Sequence, residues 1–216
     1  TQDRWKVPHS ESDNWKFERI YRINFFLSEA LPKFGEDMSG SQNTISGSVA
    51  TIKHYIGEMY FLRAYEYFKK LQLFGDFPII DQPLADEMEA LREASKRFPR
   101  NEVARFIISD LDKAYAYMSD VDMATTRINK DAAMLVKSRV ALFEATWLQN
   151  FKGTAFVPGG EGWPGASLHN NYQYPSGNLD NEVKYFLEQA VEASKLVADK
   201  YLSLIHISEP TRRSYI

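Results

Sequence analysis

Residues 63–80 read "RAYEYFKKLQLFGDFPII". The first part carries Tyr65, Tyr67 and Phe68 in a helix-like run, and then Gly75, Asp76, Phe77 and Pro78 interrupt it. Glycine tolerates the left-handed backbone that ends a helix, and proline fixes the following backbone as extended. The pattern therefore predicts a helix that stops at Gly75 and a short, apolar, strand-like segment after it. Upstream, Val49, Ile52, Ile56, Met59 and Tyr60 carry the same helix back, so it runs from about residue 49 to 73. Tyr55, Leu62, Ala64, Phe68 and Leu71 fall on its other faces, which requires cover on more than one side. Such a helix is the central element of an all-α fold.

Four further segments show apolar spacings of three and four. The first spans about 14 to 31, with Ile20, Ile23, Leu27, Ala30 and Leu31 on one side, and Pro32 and Gly35 are expected to stop it. Another, about 100 to 118, carries Val103, Phe106, Ile107, Leu111, Ala114 and Met118, and Pro99 or Asn101 fits its start. A third, about 130 to 149, carries Ala133, Val136, Val140, Phe143 and Trp147, so Trp147 is expected in the core. The last, about 181 to 201, carries Val183, Phe186, Leu187, Ala190, Val191, Ser194, Val197 and Tyr201. Connections of roughly ten residues join the helices in pairs, which favours antiparallel neighbours. Ala64 and Phe68 match the second-helix half of a tetratricopeptide repeat, where a small residue admits the paired helix and an aromatic fills the gap. Two and a half pairs read as an incomplete array. Two long connections, 75–101 and 152–180, remain, and loops of that length are more often functional.

Composition excludes several classes. Charge is mixed, with a net of -3, so no broad field attracts phosphate backbones, and nucleic acid is not an expected partner. Without a cysteine there is no disulfide frame, thiolate nucleophile or Cys-ligated zinc. No apolar run is long enough to span a membrane, and no signal peptide is visible. Thr1 opens a polar stretch, and an upstream segment is expected to have been lost. The histidines, His9, His54, His169 and His206, lack ligand spacing, "GGEGWPG" lacks the Lys-Ser/Thr ending of a phosphate loop, and no acidic pair stands out as an acid/base couple. No metal, no cofactor and no catalytic residue is expected. Arg139, inside an Ala-rich helix, is expected to need Asp110 or Asp112 as its partner.

The stretch "EMYFLRAYEYFKKLQLFGDFPIIDQPL" resembles the signature of the SusD/RagB family of outer-membrane nutrient-binding lipoproteins, with Arg63, Ala64, Tyr67, Phe68, Leu73, Gly75, Asp76 and Pro78 on the pattern. Three more segments agree in order: "WKFERIYRINFFLSE" through Tyr21, Ile23 and Asn24; "FPRNEVARFIISDLDKAYAYM" through Ile107, Asp110, Leu111 and Ala114; and "RINKDAAMLVKSRVALFEATW" through Ala132, Ala133, Arg139, Val140 and Leu142. The resemblance implies an incomplete SusD-like helical-repeat domain over 1–201. The family's lipobox cysteine and C-terminal half are missing here, and the tail "SLIHISEPTRRSYI" over 202–216 looks non-native or disordered.

By the same resemblance the protein is a surface-exposed lipoprotein of the outer membrane that binds oligosaccharide or polysaccharide and delivers it to a SusC-like TonB-dependent transporter. Its membrane contact would run only through a lipid anchor absent from this chain. Sugar sites combine flat aromatic faces with amide and carboxylate groups. The segment after Gly153 offers that mixture in Trp163, Asn170, Asn171, Tyr172, Gln173 and Tyr174, and Trp5 is a further candidate. Those aromatics would equally suit a surface loop that packs back on its scaffold. Trp15 is expected to face the core. A helical-repeat scaffold of the transporter complex, without a sugar site of its own, stays open as the alternative.

Overall fold

The computed structural model describes residues 15–35, 38–119 and 126–201. The expectations for the tail at 202–216 lie outside the described residues. Among the described residues six α-helices follow one another: α1 Glu18–Phe34, α2 Val49–Phe74, α3 Met88–Ala94, α4 Arg100–Tyr117, α5 Lys130–Asn150 and α6 Leu179–Tyr201. No strand occurs among the described residues, and the architecture is all-helical as the spacing predicted.

Contacts between successive long helices run in opposite senses. On α1 and α2, Arg19 meets Glu66 and Asn24 meets Arg63. On α2 and α4, Tyr67 meets Phe106, Arg63 meets Asp110 and Gly57 meets Ala114. Arg100 and Asp112 of α4 bond Glu144 and Lys137 of α5, and Asp131 at the start of α5 bonds Lys200 at the end of α6. Each helix thus lies antiparallel to the next long one. The widest packing joins α5 to α6 and α2 to α4.

Helix α2 is the covered centre: Ile56, Ala64 and Tyr67 are fully enclosed, as are Val103, Ile107, Leu111 and Ala114 on α4. Close approach is built in at Gly57, where an added Cβ would come within 2.9 Å of the Met118 backbone nitrogen and 3.0 Å of the Ala114 carbonyl. Ala141 and Ala145 on α5 are likewise fully enclosed.

The structure corrects several expectations. Pro32 lies inside α1 rather than stopping it. In the last turn a proline forfeits one backbone bond only, and the buried Phe34 holds the helix until Gly35, at φ 103, ends it. Arg139 is exposed; Asp110 pairs with Arg63 and Asp112 with Lys137. Trp147 is half-buried rather than core, and Val191 and Leu187 of α6 face solvent while Phe186, Ala190, Ala193 and Val197 make the buried stripe. Trp15 stands before α1, edge-on to Phe74 and Phe77, and is partly exposed. Connection 75–99 contains α3, which buries none of its residues and so has no apolar periodicity to announce it.

Candidate ligand-binding site

The "GDFP" break is a junction. Gly75 adopts φ 69 and its N–H closes the last turn of α2 on the Leu71 carbonyl at 3.0 Å. That turn aims the Asp76 carboxylate at two distant segments. One oxygen accepts the Arg100 N–H at 2.9 Å, capping α4 from across the chain, and the other accepts the Trp163 indole N–H at 2.7 Å. Burial pushes the Asp76 carboxyl above its ordinary range, and the Trp163 and Arg100 donors pull it back. Phe77 then exchanges both backbone bonds with Phe98, and Ile80 is held by Tyr67 and Asn24, so the segment is extended without a strand.

Segment 152–180 is fastened along its length. Trp147 donates to the Phe156 carbonyl at 3.1 Å, Tyr174 to the Pro158 carbonyl at 2.5 Å, and the His169 ring to the Arg97 carbonyl at 2.8 Å. The Tyr172 hydroxyl bonds Asn101. A short 3-10 turn, Pro164–Ser167, seats Gly165 against the Trp163 ring, where a Cβ would come within 2.2 Å of the indole. Burial raises the Tyr172 and Tyr174 hydroxyls well above the ordinary tyrosine range. Both act as neutral donors.

Between these parts opens a cleft of ≈ 720 Å³. Its base is the end of α2 from Leu71 to Asp76; one wall is Arg92, Ser95, Lys96 and Arg97 with Arg100 below; the other is Trp147, Ala155, Phe156, Trp163 and Pro164. The Arg100 guanidinium lies 4.2 Å from the centre of the Trp147 ring and is bonded twice to the buried Glu144, at 2.9 and 2.8 Å. Phe156 is 62% exposed and presents an open ring at the rim. The recess thus offers apolar ring surface beside cationic donors, the combination that holds a hydroxylated or charged small ligand.

The residues singled out in the sequence do not converge on one recess. Trp163 lines the cleft, but it is 5% exposed, and its ring contacts His169 and Tyr172. Tyr172 and Tyr174 pack edge to face behind it with both hydroxyls engaged. Asn170, Asn171 and Gln173 are exposed and do not line the cleft, and Asn171 adopts φ 55. Trp5 lies outside the described residues. Unanticipated were Trp147, Phe156 and the cationic wall. The wall had a signal, since Arg92, Lys96, Arg97 and Arg100 crowd into nine positions.

Replacing Asp76 with alanine strands two donors, and a buried unpaired donor costs about 1–3 kcal/mol. Asp76→Ala is expected to lose about 2–3 kcal/mol of unfolding free energy in urea and to shift tryptophan emission to the red as Trp163 loosens. A loss below about 0.5 kcal/mol would contradict the junction role.

A family model described as starch-binding and associating with the outer membrane matches residues 10–142. SusD-like protein P2 of Formosa agariphila is 31% identical over 100 residues, which cover 46% of this chain and 19% of that protein. The crystal structure of a SusD-like protein from Bacteroides fragilis NCTC 9343 is similar with a TM-score of 0.46 and 26% identity, over 62% of this chain and 23% of that one. The matched region therefore spans about a fifth of these relatives.

Proposed function

Because the chain belongs to the SusD-like family, we propose that it binds an oligosaccharide in the cleft at the end of α2 and, at the cell surface, passes it to a TonB-dependent outer-membrane transporter. The observation that carries this reading is the cleft itself, an open recess of ≈ 720 Å³ whose rim holds the exposed ring of Phe156 beside the half-buried Trp147. An aromatic face packs on the apolar face of a pyranose ring, while Ser95, Lys96 and Arg97 supply donors for hydroxyls. Trp163, from the residues singled out in the sequence, enters this reading as a fixed wall that shapes the recess. Binding of this kind needs no chemistry on the ligand and no cofactor.

Among the described residues no helix is long and apolar enough to cross a membrane. In this reading, contact with the outer membrane runs through the transporter and a lipid anchor outside this chain. Phe156→Ala is expected to weaken oligosaccharide binding about tenfold, about 1.4 kcal/mol, by calorimetry against a panel of oligosaccharides. Absence of binding across the panel by the unaltered protein, with transporter assembly retained, would overturn the reading in favour of a scaffold subunit.

A further inference from the structure

The charge around the cleft does not match the charge of the chain. The protein carries a net -3, yet Arg92, Lys96, Arg97 and Arg100 line the recess against a single acid, Asp76. These cations are not equivalent. Arg100 is buried and neutralised by Glu144, and Lys96 pairs with Glu93 at 2.6 Å on the open surface. Arg92 and Arg97 are exposed, and neither has a carboxylate within ion-pair distance among the described residues. The Arg97 guanidinium lies 4.9 Å from the centre of the Trp15 ring, which orients it without discharging it. Asp76 accepts from the Arg100 backbone N–H and the Trp163 indole and makes no ion pair with Arg92 or Arg97, so it offsets only one of the recess charges.

We infer that the cleft selects saccharides that carry anionic groups, carboxylate or sulfate, through Arg92 and Arg97. The inference rests on the oligosaccharide reading above and assigns the ligand's class. A guanidinium meets a planar carboxylate or a sulfate with two parallel donors, whereas it gives a neutral hydroxyl one ordinary bond. Two such groups on one wall, facing the aromatic rim of Phe156, fit a sugar ring on one side and its charged substituent on the other.

Matched ligands isolate the charge: oligogalacturonate against its methyl ester, and a sulfated galactan oligosaccharide against its desulfated form, each titrated into the full chain. Expected is at least tenfold tighter binding of one or both charged members, a preference that shrinks between 50 and 500 mM sodium chloride, a range of salt chosen because screening at close range grows steeply over about these values. Which pair responds separates carboxylate from sulfate. Arg92→Gln with Arg97→Gln is expected to abolish the preference, weakening the charged member at least tenfold and the neutral member far less, because the glutamine amide still donates to a hydroxyl. Both side chains are exposed, and the salt titration of the unaltered protein tests the same point without any substitution. Equal affinity for charged and neutral members would overturn this inference and leave the oligosaccharide reading standing. No binding by any member would overturn both.

Discussion

Asp110→Ala is expected to remove about 3–5 kcal/mol from the free energy of unfolding, measured by urea denaturation followed by far-ultraviolet circular dichroism. Asp110 is fully buried and receives Arg63 Nε at 2.6 Å and Nη2 at 2.8 Å. Nη1 of the same guanidinium reaches Asn24 on α1 at 3.0 Å and the Asp81 carbonyl at 2.8 Å. One cation thus binds three helices and the extended segment. Burial pushes the Asp110 carboxyl upward, and Arg63 opposes that push. Removing the acid leaves the guanidinium buried without its counter-charge, which is far costlier than never burying the pair. Replacing both members together, Arg63→Met with Asp110→Leu, is therefore expected to recover most of the loss. A single-variant loss under about 1 kcal/mol would show that the site opens to water in the folded protein.

Glu182→Ala is expected to cost about 3 kcal/mol, since it deprives several buried donors at once. The Glu182 carboxylate accepts Arg105 Nε at 2.7 Å and Nη2 at 2.8 Å, Asn101 Nδ2 at 3.1 Å and the Ser176 N–H at 3.1 Å. It ties α4, α6 and the end of segment 152–180 together. Burial works against its charge, but the bonds from Arg105, Asn101 and Ser176 win, so the folded carboxyl titrates below its ordinary 4.5. The unfolded chain then takes up a proton first as acid is added. Hence the stabilisation is complete above pH 4.5 and fades as pH falls through the lower folded value. The difference between the unaltered protein and Glu182→Gln should follow that course in pH-dependent unfolding. A difference that instead grew toward acid would reverse the assigned sign.

Helices were legible where burial repeats along the chain. Ile20, Ile23 and Leu27 on α1, or Val103, Ile107 and Leu111 on α4, lie one turn apart and enter the core together. Ion pairs across helices were not legible, because which residues meet depends on how two helices cross rather than on spacing within either. Thus spacing offers Asp110 or Asp112 to Arg139, whereas Asp110 pairs with Arg63 and Asp112 with Lys137. Helix α3 has no buried face and left no periodic trace. The cleft was only half readable: segment 152–180 was expected to matter, yet its tyrosines turn inward and bind the scaffold. Trp147 continues the apolar pattern of α5 almost to that helix's end, where the ring meets Arg100 of α4 and also lines the cleft.

The bond between Asp76 and Trp163 joins residues 87 positions apart. That contact belongs to segment 152–180, which contains no long helix and is fastened to the bundle by individual hydrogen bonds such as those of Trp147, Tyr172 and His169. Segments held by few bonds open locally at lower cost than packed helices, so this wall of the recess is expected to open before the helices do, as hydrogen exchange at Trp163 and Gly165 would register.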